Sequence, residues 1–234
     1  MPDIFPIDYS LVLPAYREEE NLRIILPRLQ ETIRPLSGTF EIIVVDTVEP
    51  LDFTAVVCEN YGARYVRRRP SNKFGDAVRT GIQEARGQWI MFMDADGSHA
   101  PEFIPCLIRE TEQNDVVIAS RYIEGGNTEN APVLMLMSRV LNFSYAVILN
   151  LKCKDVSNNF KIYRASLLKP LALKCLNFDI IEEMLYKINR RNPAVRIKEV
   201  PFSFKKRMIG KTKRNLFLFT LSYLITIIRL RLQK

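Results

Sequence analysis

The chain has 234 residues, 47% of them apolar and 26% charged, and a net charge of +8. That length can bury a sizeable core in one domain, and the composition is that of an ordinary folded protein, which excludes disorder. The positive charge asks for an anionic partner, with nucleic acid, anionic lipid and a phosphorylated substrate all open.

Residues 9–14 (YSLVLP) form an apolar run that predicts a strand; a polar loop and a helical pattern through Ile24, Ile25, Leu29 and Ile33 follow. A second strand is expected over 40–45, closing on Asp46, then a short helix over 53–61 and a third strand over 63–66. Arg67, Arg68 and Arg69 read most simply as a solvated turn, with a pyrophosphate contact as the alternative. A helix over 74–85 leads to the most informative stretch, Trp89-Ile90-Met91-Phe92-Met93-Asp94-Ala95-Asp96. There a buried strand runs into two carboxylates one residue apart. In an open α/β sheet the carboxyl ends of the strands form the ligand crevice, so Asp94 and Asp96 are expected in the site. Paired oxygen ligands of this kind suit Mg2+ or Mn2+ shared with phosphate oxygens. A helix over 101–113 and a strand over 115–119 complete the alternation, which implies a doubly wound, mostly parallel, Rossmann-like sheet.

Beyond Tyr122 the pattern changes. A long helix over 133–151 carries Ser138, Asn142 and Tyr145 on one face; Arg139 and the asparagines make it a poor membrane span and a better core or groove helix. A further helix over 180–189 and a strand over 197–202 precede a basic loop over 205–214 and a strongly apolar helix over 215–232. That final helix has about thirteen uninterrupted apolar residues where a span needs about twenty, and cations flank both its ends. It is read as an amphipathic helix lying in a membrane interface, with docking on the protein's own core or on a partner subunit in the membrane as the alternative. The expected division is therefore 1–204 as the main α/β domain and 205–234 as the appended loop and helix. Cys58, Cys106, Cys153 and Cys175 are widely spaced, so free thiols are expected rather than zinc or disulfides. The first residues show no basic-then-apolar signal, which places the protein in the cytoplasm or peripherally on the cytosolic membrane face.

Taken in order, Pro14-Ala15-Tyr16-x-Glu18-Glu19, Ile43-Val44-Val45-Asp46, Asp94-Ala95-Asp96, Ser120-Arg121-Tyr122, Ser138-Arg139-x-x-Asn142, Asp155 to Phe160, Tyr163-Arg164 and Arg207-x-x-Gly210-Lys211 form one pattern. It resembles family 2 glycosyltransferases of the GT-A fold, in particular the dolichyl-phosphate mannosyltransferases and their polyprenyl-phosphate relatives. The resemblance implies transfer of a sugar, such as mannose or glucose, from a GDP- or UDP-linked nucleotide diphosphosugar to a polyprenyl phosphate, with inversion. It implies nucleotide-sugar contacts from Pro14, Ala15, Tyr16, Glu18, Asp46 and Asp94, and a Mg2+ or Mn2+ ion on Asp94 and Asp96. Asp96, Arg121 and Arg207 are implied as catalytic, and Arg121, Ser138, Arg139, Arg207 and Lys211 as ligands of the acceptor phosphate. Three positions depart from the family pattern. Thr47 follows Asp46 where a second aspartate is usual, Ser98 stands where a metal-contacting glutamine is common, and Leu134 replaces an acceptor-phosphate arginine. Two alternatives stay open: a different glycan acceptor, and a degenerate enzyme serving as a membrane scaffold. A nucleic-acid footprint is disfavoured, because the cations gather beside an apolar helix rather than among exposed stacking aromatics.

Overall fold

A computed structural model describes residues 7–210 and 225–232. β1 (Ile7–Pro14), β2 (Phe40–Asp46), β3 (Arg64–Arg67) and β4 (Gly87–Phe92) are parallel neighbours in the order β3-β2-β1-β4. Their near-continuous apolar runs suit strands covered on both faces. Alternate residues enter two separate cores: Val12, Ile43, Val45, Ile90 and Phe92 pack on one face, and Leu11, Leu13, Ile42, Val44 and Met91 on the other. The connecting helices are α1 (Glu19–Ile33), α2 (Thr54–Asn60) and α3 (Phe74–Glu84). Strand order reverses at β1, so the carboxyl ends of β1 and β4 flank the crevice where ligands enter such sheets.

The remainder of the seven-stranded sheet holds the main departure from the expected fold. β5 (Val116–Ser120) does not sit beside β4, because β7 (Lys161–Arg164) inserts antiparallel between them and β8 (Ile197–Pro201) closes the edge. The expected 101–113 helix is one short α-helix, α4 (Ile104–Arg109), between two 3-10 turns. β6 (Asn127–Thr128) and β9 (Ser203–Phe204) form a small second sheet.

α5 (Pro132–Ile148) lies along a groove, one of the two places expected for it, and adds an exposed apolar face that was not expected. It buries Asn142 and Tyr145 yet exposes Val133, Leu136, Val140, Phe143 and Val147, a single apolar face at helical spacing. α6 (Ala165–Leu168) and α7 (Ile180–Arg191) follow. Residues 225–232 are helical and dock on α7's start: Ile227 and Leu230 join the core and the Thr226 hydroxyl donates to Asp179 Oδ2 at 2.6 Å. Their outward face is Ile225, Ile228 and Leu232. Among the described residues no helix is long and apolar enough to cross a membrane.

Candidate active site

The β4 strand delivers Asp94 and Asp96 to the mouth of a cavity of about 1110 Å³, with buried Ala95 between them. Gly97 turns the chain at φ +82°, a conformation that costs glycine nothing, and Met208 lies where a Cβ would stand. Ser98 lines the cavity beside Asp94 and Asp96. Its amide (3.1 Å) and hydroxyl (2.6 Å) both donate to Asp96 Oδ1 and thereby orient that carboxylate.

His99 is fully buried, stacked on Phe160. Its Nδ1 accepts the Asp94 backbone amide at 2.9 Å, which leaves the ring proton on Nε2, 2.9 Å from Asn158 Oδ1. Burial pushes its pKa down, so the ring is neutral and its 3.9 Å approach to Asp94 Oδ2 is no ion pair. His99 therefore shapes the aspartate loop. Because the folded pKa is depressed, the unfolded chain binds more protons on acidification, and stability falls as pH drops below the unfolded pKa. In thermal melts without ligand, the wild type is expected to lose up to about 1.4 kcal/mol per pH unit from this group below about pH 6.5. His99→Asn should flatten that part of the profile; an unchanged slope would contradict the assignment.

Asp96 Oδ2 meets Arg207 Nη1 at 3.2 Å, and Arg207 Nη2 sits 2.5 and 2.6 Å from the two oxygens of Glu18. Asn21 Nδ2 steadies Glu18 Oε2 at 2.7 Å. The loop carrying Arg207 is held to the aspartate loop by backbone bonds from Lys205 to Ser98 O (3.1 Å) and from Met208 to Asp96 O (2.9 Å). Burial raises the Asp96 carboxyl, but the Ser98 donors and the Arg207 charge outweigh it and hold the group below the usual carboxylate range. For Glu18 burial wins and the pKa is raised.

Across the cavity Arg121 is 8% exposed and forks onto Asp155, Nε to Oδ2 at 2.8 Å and Nη2 to Oδ1 at 2.7 Å. Nη2 also reaches Ser157 Oγ at 3.0 Å, and Asn142 ties Ser157 to Ser138 on α5. Ser138 and Leu134 line the cavity. Arg139 does not: it is exposed and lies over the Tyr122 ring at 5.6 Å, one residue round the helix from Ser138 and off its face. Lys211 falls outside the described residues.

At the ends of β1 and β2 the wall is made by Pro14, Ala15 and Tyr16. Asp46 lies behind it at 1% exposure, bonded from the Tyr65 hydroxyl at 3.2 Å, with Oδ1 lacking a partner among the described residues. Thr47 is buried on Glu49 O. Arg68 overturns the solvated-turn reading. It is 3% exposed, and its guanidinium joins the backbone oxygens of Ala15, Val45, Asp46, Asn72 and Lys73. Glu182 and Glu183, in the first turn of α7, are both fully buried.

The family model for glycosyl transferase family 2 matches residues 10–171. The chain belongs to glycosyl transferase family 2. This glycosyltransferase is 31% identical over 211 residues to a dolichol-phosphate mannosyltransferase of Pyrococcus furiosus, covering 87% of this chain and 58% of that one. The corresponding figures for the dolichol-phosphate mannosyltransferase of Saccharomyces cerevisiae are 30% over 218 residues, 88% and 81%. For an undecaprenyl-phosphate mannosyltransferase of Micrococcus luteus they are 30% over 214 residues, 86% and 85%. The chain thus spans under two thirds of the archaeal relative and most of the other two. Among solved structures, glucosyl-3-phosphoglycerate synthase from Mycobacterium tuberculosis with Mn2+, UDP and glucosyl-3-phosphoglycerate gives a TM-score of 0.72 at 20% identity, over 96% of this chain and 80% of that one. The same enzyme with Mg2+ and UDP gives 0.71 over 96% and 79%. At such identity the likeness establishes the GT-A fold, in agreement with the sequence-based expectation.

Asp94 and Asp96 are two carboxylates lining one cavity, a donor set of the kind that suits Mg2+ or Mn2+. Such ions are commonly held by one or two carboxylates and complete their shell with substrate phosphate and water. Sequence reasoning missed Asn158 and Asn159 as site residues. Only their place inside the Asp155-to-Phe160 match hinted at them.

Proposed function

We propose that this glycosyltransferase moves a hexose, mannose or glucose, from a GDP- or UDP-linked nucleotide diphosphosugar onto a polyprenyl phosphate, with inversion, at the cytosolic face of a membrane. The observation that carries this reading is the continuity of one cavity. It is lined both by Glu18, Asp94, Asp96, Arg121 and Arg207 and by Met137, Val140, Leu141, Phe178 and Ile181. Its lining therefore suits a charged donor and a lipid tail together. The names of the mannosyltransferase relatives agree with that pairing.

In this reading Pro14, Ala15, Tyr16 and Glu18 line the nucleotide side, with Asp46 behind them offering an acceptor oxygen. Asp94 and Asp96 would hold Mg2+ or Mn2+, which would supply positive charge to offset that growing on the departing diphosphate. A polyprenyl phosphate is already anionic at neutral pH, so no residue needs to take a proton from it. It needs cations instead. Arg121, fixed by Asp155, presents a planar fork for phosphate oxygens, and Ser138 adds a hydroxyl close by. Arg207 is tied to Glu18 and Asp96 without ligand, and serves the same phosphate once donor and ion occupy those carboxylates. With Leu134 and exposed Arg139 unable to supply a second inner arginine, Arg121 and Arg207 share the acceptor phosphate.

The exposed apolar faces of α5, which also lines the cavity, and of residues 225–232 are the surfaces that would enter the interface. Phe143, 70% exposed on α5, should be one anchor. Phe143→Glu is expected to weaken association with phosphatidylcholine–phosphatidylglycerol vesicles by about tenfold or more, since burying such a ring stabilises by roughly 1.5–3 kcal/mol. Sedimentation with vesicles measures this, with an unchanged melting temperature as control; equal binding by the variant would remove α5 from the membrane surface.

Turnover of GDP-mannose, GDP-glucose and UDP-glucose with Mn2+, with and without a polyprenyl phosphate, tests the reaction itself. A lipid-linked sugar supports the reading. Nucleotide release without lipid product moves the acceptor to another glycan, and absence of turnover with all donors overturns it.

A further inference from the structure

β7 runs antiparallel to β4 with Lys161 opposite Phe92, so the residues just before Lys161 lie beside the carboxyl end of β4, where Asp94 begins. Asn159 is one of them. It is 4% exposed and lines the active-site cavity. Its Nδ2 donates to Asp94 Oδ1 at 2.9 Å. An ionised carboxylate only accepts hydrogen bonds, so this contact fixes the amide with its nitrogen on Asp94 and its oxygen pointing elsewhere. That oxygen, Oδ1, is buried without a hydrogen-bond partner among the described residues.

The neighbouring amide shows what a purely structural asparagine does here. Asn158 engages both ends, with Oδ1 toward His99 Nε2 and Nδ2 on Ala119 O at 2.6 Å. Asn159 leaves one end over. A buried carbonyl oxygen without a donor is costly, and a ligand hydrogen placed there recovers that cost. Phosphate oxygens are themselves acceptors and a polyprenyl chain has no polar hydrogen, so neither can supply it. Hydroxyls can. Position selects among them. Asn159 touches Asp94, and Ser157, two residues before it in the chain, bonds Arg121. Asn159 thus contacts the carboxylate proposed for the donor diphosphate and belongs to the same short segment that meets the arginine proposed for the acceptor phosphate. The hexose must lie between those two groups while its anomeric carbon passes from one phosphate to the other.

We infer that Asn159 is a specificity-determining residue: its Nδ2 orients Asp94 while its Oδ1 accepts a hydrogen bond from one hydroxyl of the donor hexose. The inference rests on the glycosyl-transfer reading above. Its test uses whichever of GDP-mannose and UDP-glucose the wild type turns over, together with the 2-, 3-, 4- and 6-deoxy analogues of that donor. Turnover is measured with Mn2+ and polyprenyl phosphate, and donor binding by calorimetry without the acceptor. The wild type is expected to lose about tenfold in affinity and kcat/KM for one analogue, the equivalent of about 1.4 kcal/mol for a hydrogen bond. Asn159→Ala should bring that parent-to-analogue ratio close to one. Asn159→Asp keeps an oxygen on the sugar side but repels Asp94, so it should bind every donor more weakly while preserving the ratio. Because each ratio is taken within one variant, differences in folded fraction cancel. A wild-type ratio retained by Asn159→Ala for all four analogues, or no discrimination by the wild type, overturns the inference and leaves glycosyl transfer standing. A wild type that turns over neither donor overturns the parent reading.

Discussion

Replacing Asp96 with asparagine is expected to reduce metal-dependent sugar transfer by about 10²–10³ in kcat/KM or more, with the fold retained. The size follows if, as proposed, Asp96 helps hold a cation that stabilises growing negative charge, since the variant then loses a fixed charge there. The substituted amide could still accept the Ser98 amide and hydroxyl through its side-chain oxygen, as Asp96 Oδ1 does now at 3.1 and 2.6 Å. Its nitrogen would then face Arg207 Nη1, which stands 3.2 Å from Asp96 Oδ2, a donor against a donor. Arg207 keeps its paired contacts to Glu18, so the loop stays anchored. The measurement is initial rate against Mn2+ concentration for both proteins, alongside thermal unfolding. A variant within tenfold of the wild type at saturating Mn2+ would show that Asp96 does not hold the ion.

Asp155→Ala should be the most damaging single change to stability. Asp155 is fully buried and accepts from the Arg121 amide, Nε and Nη2 and from the Asn158 amide. Removing one partner of a buried ion pair strands the other charge, at a cost of about 3–5 kcal/mol. For a protein of this size that lowers the melting temperature by roughly 6–20 °C. The catalytic consequence is separate: an Arg121 fork without its Asp155 contacts is less precisely placed and should raise the acceptor KM in whatever fraction remains folded. Burial alone would raise the Asp155 carboxyl, but Arg121 outweighs it and the folded pKa lies below the ordinary value. Its contribution is therefore present above the unfolded pKa of about 4 and lost as pH falls through the folded one. A melting temperature within 2–3 °C of wild type, or about 1 kcal/mol on the same scale, would mean Arg121 has other support.

Much of the site was legible because its residues sit where chain periodicity stops. The apolar strand ending at Phe92 announces Asp94 and Asp96, since a carboxylate after a buried run has to emerge at a strand end. Pro14 and Ala15 follow from β1 in the same way. A one-dimensional pattern could not show which charges are buried. Arg68 and its two neighbours look alike in sequence, yet Arg68 alone of the three is buried, because its guanidinium is surrounded by backbone oxygens at the strand ends. Arg139 looked like Ser138's partner, but consecutive helix residues point about a hundred degrees apart.

By itself the sequence determined the alternation of strand and helix, the parallel sheet and the place of its ligand crevice, because hydrophobic period and strand polarity are local properties of the chain. Only the tertiary structure decided that β7 would enter antiparallel beside β4, bringing Asn158 onto His99 from 59 residues away and Asn159 onto Asp94 from 65. It also decided that α5 would turn Val140 and Phe143 outward. Both outcomes depend on which surfaces of distant segments fit together, and burial of that kind is settled by the packed whole rather than by any stretch of the chain.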